Sequence, residues 1–339
     1  MNKLLIKMNK IFNEMKREIE ERAKGTHCLI CNKECSSFCN SHTVPQFILN
    51  NIGDNGYITQ SSGLMLGENN PVLKAVKGIK NTGTFRCICR ECDKKYFKNY
   101  EDKENIFKEP GQNILIEIAL KNCLRQLAKK LLEKQIHAYS KEHFGITTPI
   151  AENWSIDMKE NKDEFMRIMK GVTGEKVVEF DLVYWKILDY MCPIAFQGKI
   201  VLHGDLNGFV INDIFTKNYR DKMQAINIAI FPISGQTVIM MFVDKSYEKY
   251  KNFINQFKKL NDDEKLEVIN YILFRYDEEY FIYRPVYNQI KDNENLIKIC
   301  TEFNLLSEDE TEEKGLNDLK DRLPIPNLLS SDFAVPNKC

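Results

Sequence analysis

The sequence predicts an α+β protein, with a cysteine-rich module inserted between amphipathic helices and followed by a larger domain with an antiparallel sheet and helices. Apolar residues recur at helical spacing in two long segments, residues 2 to 23 and residues 112 to 134. Seven of the 11 cysteines lie between residues 28 and 92. Short runs rich in β-branched and aromatic residues follow residue 191 and indicate antiparallel strands.

These patterns divide the chain into five segments. They are an amphipathic N-terminal helix, the cysteine-rich module, a connecting helix, an α+β domain for recognition, dimerisation or regulation, and an acidic tail containing prolines. We expect the tail to be extended or poorly ordered. The predicted boundaries are 1–26, 27–105, 106–145, 146–304 and 305–339.

The predicted sheet of the α+β domain is built from short runs separated by tight turns. A helix over about residues 159 to 169 precedes the runs, and two further helices follow them, the second beginning with acidic residues that suit a helix N-terminus. The strands are CPIAFQGKIVLHGD, GFVINDIF, INIAIFPI and QTVIMMFV, and the helices are SYEKYKNFINQFKKL and DDEKLEVINYILFRYDEEY.

The composition favours a soluble, cytoplasmic protein. The chain has 339 residues, of which 43% are hydrophobic, enough for more than one buried core. It contains no run of about 18 uncharged apolar residues, and its charged start lacks the pattern of a signal peptide, so we expect no membrane partner. In such a protein, crowded cysteines indicate metal binding rather than a disulfide scaffold.

The net charge of zero conceals an uneven distribution. Residues 1 to 100 contain 16 Lys and Arg against 9 Asp and Glu, whereas the rest of the chain contains 32 against 39. The basic excess lies in the cysteine-rich half, where a polyanion such as DNA would approach. The alternative interpretation is a solvated face on the first helix.

Two C-x-x-C knuckles, Cys28 with Cys31 and Cys89 with Cys92, predict a zinc site. This spacing lets a tight turn direct two thiolates at one tetrahedral ion. The additional cysteines of the module could replace a ligand, build a second site or lie near the first site as non-ligands. They are Cys35, Cys39 and Cys87.

The order of these motifs resembles the HNH, or ββα-metal, nuclease family, in its zinc-bearing bacterial subgroup. The matching pieces are Cys28-x-x-Cys31, then Ser41-His42-Thr43-Val44-Pro45, then Cys89-x-x-Cys92-Asp93 with Phe97 and Glu101 downstream. The resemblance covers residues of about 27 to 105. It implies structural Zn²⁺, a general base at His42, and a DNA endonuclease, with a role in bacterial restriction or phage defence.

The resemblance also implies a catalytic Mg²⁺ or Mn²⁺. If the residues after Cys92 are helical, Asp93, Phe97 and Glu101 lie at i, i+4 and i+8 on one face. Asp93 and Glu101 would then present carboxylates, the hard ligands that these cations prefer. His42 is expected to reach the same face, where a neutral imidazole would activate water.

A second interpretation makes the chain a zinc-organised regulatory protein that binds nucleic acid or a partner without cutting it. Ser41, at the position where many nucleases have aspartate, and the near-neutral charge favour this alternative. His42 would then only donate a hydrogen bond to a loop carbonyl, and Asp93 and Glu101 would be surface charges. The sequence leaves RNA as a substrate, a homodimer and a regulatory partner open.

The segment VLHGDLNGFVIND resembles the catalytic loop of aminoglycoside-type phosphotransferases, with His203 positioning Asp205 as the base. The asparagine that would hold metal is displaced from Val210, and no glycine-rich phosphate loop precedes the segment. A hairpin turn over HGDLNG is the simpler interpretation.

Overall fold

A computed structural model describes residues 2–60, 76–145, 151–213, 221–301 and 316–336, and it confirms the α+β class. The helices are α1 (Asn2–Ala23), α2 (Gln46–Ile52), α3 (Arg90–Tyr96), α4 (Lys103–Ile106), α5 (Gln112–Phe144), α6 (Ala151–Val172), α7 (Lys251–Lys259), α8 (Asp262–Tyr276), α9 (Arg284–Ile290) and α10 (Glu294–Thr301). The strands are β1 (Ser41–His42), β2 (Tyr57–Gln60), β3 (Val76–Gly78), β4 (Thr84–Phe85), β5 (Phe180–Leu188), β6 (Ile194–Ile200), β7 (Ile226–Ile233), β8 (Gln236–Asp244) and β9 (Phe281–Ile282).

The chain forms two compact units whose segments alternate along the sequence. The first unit contains Met1–Ser41, Phe85–Lys98 and Leu120–Val177, and the second contains His42–Thr84, Asn99–Ala119 and Val178–Cys339. The predicted module at 27–105 therefore contributes segments to both units.

Helices dominate the first unit. Arg22 at the end of α1 donates a hydrogen bond to Glu142 of α5 at 2.7 Å. The indole Nε1 of Trp154 in α6 donates to the backbone oxygen of Lys130 in α5 at 2.9 Å. Helix α5 continues past its predicted end at residue 134 because no breaker precedes Gly145, whose φ of 66° suits a helix C-terminus.

An antiparallel sheet forms the centre of the second unit. Within the described residues it has seven strands, in the order β3, β2, β9, β6, β7, β8, β5. Every residue of β7 is buried, which explains why all of its residues except Asn227 are apolar. Ser234 and Gly235, both at positive φ, make the tight turn between β7 and β8.

The predicted strands are partly confirmed. Three of the four predicted runs contain strands β6, β7 and β8. Residues 208–213 of the run GFVINDIF are not a strand, and residues 214 and 215 lie outside the described residues. Strands β5 and β9 were not predicted.

The expectation of an extended or poorly ordered end is wrong for residues 316–336. Leu328 and Leu329 are completely buried. The Asn270 side chain of α8 donates to the backbone oxygen of Pro326 and accepts from the backbone N–H of Leu328, each at 3.0 Å. The prolines shape an irregular segment that packs on the core, whereas the acidic stretch at residues 307 to 313 lies outside the described residues.

None of the helices in the described ranges is both long enough and apolar enough to cross a lipid bilayer. The longest, α5, has 33 residues but carries lysines and glutamates along its length.

Candidate metal centre and predicted catalytic residues

The first cysteine knuckle is a closed loop that follows α1. The backbone N–H of Cys28 donates to the carbonyl of Lys33, and the N–H of Asn32 donates to the carbonyl of Cys28, both at 2.9 Å. Asn32 adopts a φ of 55°, a left-handed conformation that asparagine tolerates better than most residues. This turn lets Cys28 and Cys31 face the same point.

The second knuckle begins α3. Cys89 is the N-cap of the helix, and its Sγ accepts a hydrogen bond from the backbone N–H of Cys92 at 3.5 Å. The backbone N–H of Cys89 in turn donates to the Sγ of Cys28 at 3.3 Å. Donors at a helix N-terminus stabilise thiolates, which are the form of cysteine that binds a metal.

The two knuckles meet. The Sγ atoms of Cys28, Cys31, Cys89 and Cys92 all lie within 4.8 Å of one another, and those of Cys31 and Cys89 are 3.9 Å apart. A tetrahedral zinc ion with Zn–S bonds of about 2.3 Å separates its sulfurs by about 3.8 Å. The prediction that these four cysteines form one group is confirmed, and the donor set fits Zn²⁺.

The additional cysteines of the module have other partners. Cys35 Sγ lies 3.4 Å from the backbone oxygen of Lys33, Cys39 Sγ lies 3.4 Å from Asp93 Oδ2, and Cys87 is buried. Burial and the Asp93 charge raise the pKa of Cys39 to about 11, and burial raises the pKa of Cys87 further. Neither thiol belongs to the group of four sulfurs that could share a metal ion.

Asp93, predicted to hold the catalytic cation, already has three partners. Its Oδ1 accepts hydrogen bonds from the Ser41 hydroxyl at 2.6 Å and the Lys121 ammonium at 2.9 Å, and its Oδ2 contacts Cys39. Burial alone would raise the pKa of Asp93, but the Lys121 charge and these hydrogen bonds outweigh burial and hold the pKa below its ordinary value. Asp93 is thus an ionised carboxylate with a resident counterion.

Lys121 on α5 was not predicted as a site residue. Its side chain is completely buried, and its Nζ donates to Ser41 Oγ at 2.8 Å as well as to Asp93. The same Nζ lies 3.8 Å from the centre of the Phe97 ring, a distance that gives a cation–π contact. The only signal in the sequence was a lysine next to the apolar positions Leu120 and Leu124 of an amphipathic helix.

The expectation that Asp93, Phe97 and Glu101 share a helical face is wrong for Glu101. Helix α3 ends at Tyr96, and Phe97 is its C-cap. Glu101 lies in the turn that precedes α4, where its Oε1 accepts a hydrogen bond from the Tyr100 hydroxyl at 3.3 Å. The turn is fixed by Glu117, whose carboxylate accepts from the backbone N–H groups of Asn99 and Tyr100.

His42 belongs to the second unit, at the end of β1. Its Nε2 lies 3.1 Å from the backbone oxygen of Ile79, which agrees with the loop-carbonyl hydrogen bond of the second interpretation. The backbone N–H of Thr43 donates to the carbonyl of Gly83 at 2.9 Å, and α2 begins directly after Pro45. Ser41, Thr43, Val44 and Pro45 are buried, whereas His42 is partly exposed.

Exposed cations surround the second knuckle. The Arg86 guanidinium donates to Asn40 Oδ1 at 3.2 Å, and that of Arg90 donates to Ser37 Oγ at 3.0 Å. These contacts orient two positive groups without neutralising them. The exposed cationic residues of this stretch are Arg86, Arg90, Lys94, Lys95 and Lys98.

The HGDLNG segment forms the predicted turn. Asp205 Oδ1 accepts from the backbone N–H groups of Asn207 and Phe209 at 2.8 and 3.0 Å, and its Oδ2 accepts from Gln256 Nε2 at 2.9 Å. Gly204 pairs with Val210 as an antiparallel bridge. These bonds give Asp205 a role in shaping the turn.

Comparisons of the chain with models of protein families, with curated proteins and with solved structures found no match.

Proposed function

We propose that the protein is an HNH-type endonuclease that hydrolyses phosphodiester bonds in DNA, in bacterial restriction or phage defence, with His42 as the general base. The observation that supports this proposal is the partial exposure of His42. The other residues of its segment are buried, namely Ser41, Thr43, Val44 and Pro45. A histidine needed only for packing would be expected to share the burial of its neighbours. A general base must instead reach a water molecule and a substrate.

The hydrogen-bond partner of His42 also suits this role. A carbonyl oxygen can only accept, so the contact with Ile79 places the proton of a neutral imidazole on Nε2. Nδ1 then carries the lone pair and is the atom that would take a proton from water. A hydrogen bond that fixes one tautomer and the ring orientation is a common support for catalytic histidines.

Zinc would be held by Cys28, Cys31, Cys89 and Cys92, and bound there it would supply structural support rather than chemistry. The pairing of β1 with β4, followed by α3, agrees with the two strands and helix that the resemblance implies. The exposed arginines and lysines between residues 86 and 98 are suited to contacts with phosphates.

The catalytic Mg²⁺ or Mn²⁺ that the resemblance implies does not fit the arrangement of Asp93 and Glu101. The Asp93 carboxylate is paired with Lys121, and Glu101 lies outside α3. We therefore assign proton transfer to His42 and no step to a cation at Asp93.

A second candidate is a zinc-organised protein that binds nucleic acid, or a regulatory partner, without cutting. The Asp93–Lys121 ion pair favours it, because it occupies the carboxylate that the resemblance gives to the catalytic cation. Both candidates share the zinc site and the basic residues, so zinc content and DNA affinity do not separate them.

Cleavage assays separate the two candidates. Zinc-loaded wild type, His42→Ala and the control His143→Ala, which removes an exposed histidine from α5, are incubated with supercoiled plasmid, single-stranded DNA and RNA in Mg²⁺, Mn²⁺ or EDTA. The nuclease proposal expects cutting of DNA by wild type and His143→Ala alone. Binding of DNA without cutting by any of the three proteins, each with its zinc, favours the second candidate.

A further inference from the structure

We propose that the ammonium group of Lys121 is the permanent cationic partner of Asp93, and that this carboxylate consequently binds no divalent cation. The inference goes beyond the proposed function and does not depend on it, since it concerns the occupancy of one carboxylate whether or not the chain cuts DNA.

The first support is the surroundings of the ammonium group. Lys121 Nζ donates to Asp93 Oδ1 and Ser41 Oγ, and the Phe97 ring covers a third side at 3.8 Å. The Phe85 ring centre lies 6.0 Å away. The two hydrogen bonds use two of the three N–H donors of the ammonium group, and an aromatic face is a favourable neighbour for its charge.

The second support is burial. The Lys121 side chain has no exposed surface, and a charge removed from water is stable only when it is paired and hydrogen-bonded. The loss of Asp93 would remove the carboxylate that lies 2.9 Å from this charge. The cost of leaving a buried charge unpaired therefore favours a charged Lys121 beside an ionised Asp93.

The third support is the state of the carboxylate. A carboxylate offers about four lone-pair sites, and Asp93 uses three of them for Ser41, Lys121 and Cys39. A divalent cation on Asp93 would also lie close to the Lys121 charge and be repelled by it. The ion pair thus disfavours a cation through both coordination and charge.

The test measures the binding of Mn²⁺ to the zinc-loaded full chain. The readout is the electron paramagnetic resonance signal of free Mn²⁺. Mn²⁺ prefers oxygen ligands, so the four-cysteine group would keep its zinc, whose amount is measured in each sample. The proteins are wild type, Lys121→Met, and Lys121→Met combined with Asp93→Asn. The double variant replaces the ion pair by neutral side chains of similar size.

We expect wild type and the double variant to bind Mn²⁺ equally. Lys121→Met should gain a Mn²⁺ site with an affinity about tenfold or more above that of wild type. This site should be absent from the double variant. A Mn²⁺ ion bound by wild type and lost in the double variant would overturn the proposal, as would a folded Lys121→Met protein with no gain. If Lys121→Met fails to fold, the comparison of wild type with the double variant still shows whether Asp93 binds Mn²⁺ in the wild-type protein.

Discussion

Lys121 Nζ lies 2.9 Å from Asp93 Oδ1, and the two residues form an ion pair in which the lysine side chain is completely buried. Removal of one partner from a buried ion pair typically costs about 3–5 kcal/mol, because the other charge is left unpaired. We expect Lys121→Met and Asp93→Asn each to lower the free energy of unfolding by about this amount.

The double variant should lose much less stability than the sum of the two single variants, because it leaves no buried charge unpaired. Urea unfolding of the four zinc-loaded proteins measures this coupling. Additive losses would show that the contact between Lys121 and Asp93 does not stabilise the fold.

The zinc site gives a prediction with a built-in control. Cys31→Ser should weaken zinc binding by more than about 100-fold, the upper range for loss of a supporting contact, because it removes a ligand outright. Cys35→Ser should keep one zinc per chain, since Cys35 lies outside the group of four sulfurs. Competition with a chromogenic chelator measures both affinities, and equal losses would contradict the assignment of ligands.

Gly83 is expected to tolerate no side chain. Its φ is 63°, and a Cβ atom would lie 2.3 Å from Cζ of Phe281. We predict that Gly83→Ala lowers the free energy of unfolding by about 3 kcal/mol, from overpacking together with the left-handed backbone.

Gly56→Ala is the matched control for Gly83→Ala. Gly56 also has positive φ, of 80°, but a Cβ atom there would have no neighbour within 4 Å. Its loss should be limited to about 1 kcal/mol from the backbone alone. Chemical denaturation measures the free energy of unfolding of the two variants. Equal losses would show that the contact with Phe281 does not contribute to the effect of Gly83→Ala.

His203 makes stability depend on pH. Burial, assisted by the charge of Arg275, lowers the pKa of His203 from 6.5 to about 4. Between these two values the unfolded chain binds a proton that the folded chain does not, so stability decreases as pH falls from 6.5 towards 4. The loss from this residue is at most about 3 kcal/mol, from 1.36 kcal/mol for each pKa unit.

The variant His203→Phe isolates this contribution. It keeps a ring beside Tyr276, whose ring centre lies 5.6 Å from that of His203, but it cannot be protonated. Its stability should fall less steeply than that of wild type over the same pH range, whatever its stability at pH 7. Equal slopes would contradict the lowered pKa.

The parts of the structure that follow from local sequence were predicted well. The C-x-x-C spacing was sufficient to identify Cys28, Cys31, Cys89 and Cys92 as one group, because each knuckle is a single turn whose geometry depends on few residues. The runs that contain β7 and β8 were recognisable from their apolar content and the Ser234–Gly235 turn. The start of α8 was recognisable from its acidic first turn, Asp262 to Glu264, of which Glu264 forms a capping box with Asn261.

The parts that depend on distant contacts were not predictable. Lys121 and Asp93 are separated by 28 positions, and only tertiary packing brings them together. Strand β9 has two residues and exists because β2 and β6 pair with it on either side. Helix α3 was expected to continue to Glu101, but it ends at Tyr96, and the carboxylate of Glu117 instead binds the backbone N–H groups of the following turn.

The most direct test of the proposed function is the rate of plasmid cleavage by wild type relative to His42→Ala, at equal zinc content and equal DNA binding. Loss of a general base typically lowers a rate by about 10²–10⁴-fold. We predict a decrease in this range, with His143→Ala unchanged. Cleavage by His42→Ala at the wild-type rate, or no cleavage by wild type under any of the cation conditions, would contradict the assignment of His42 as the base of a nuclease.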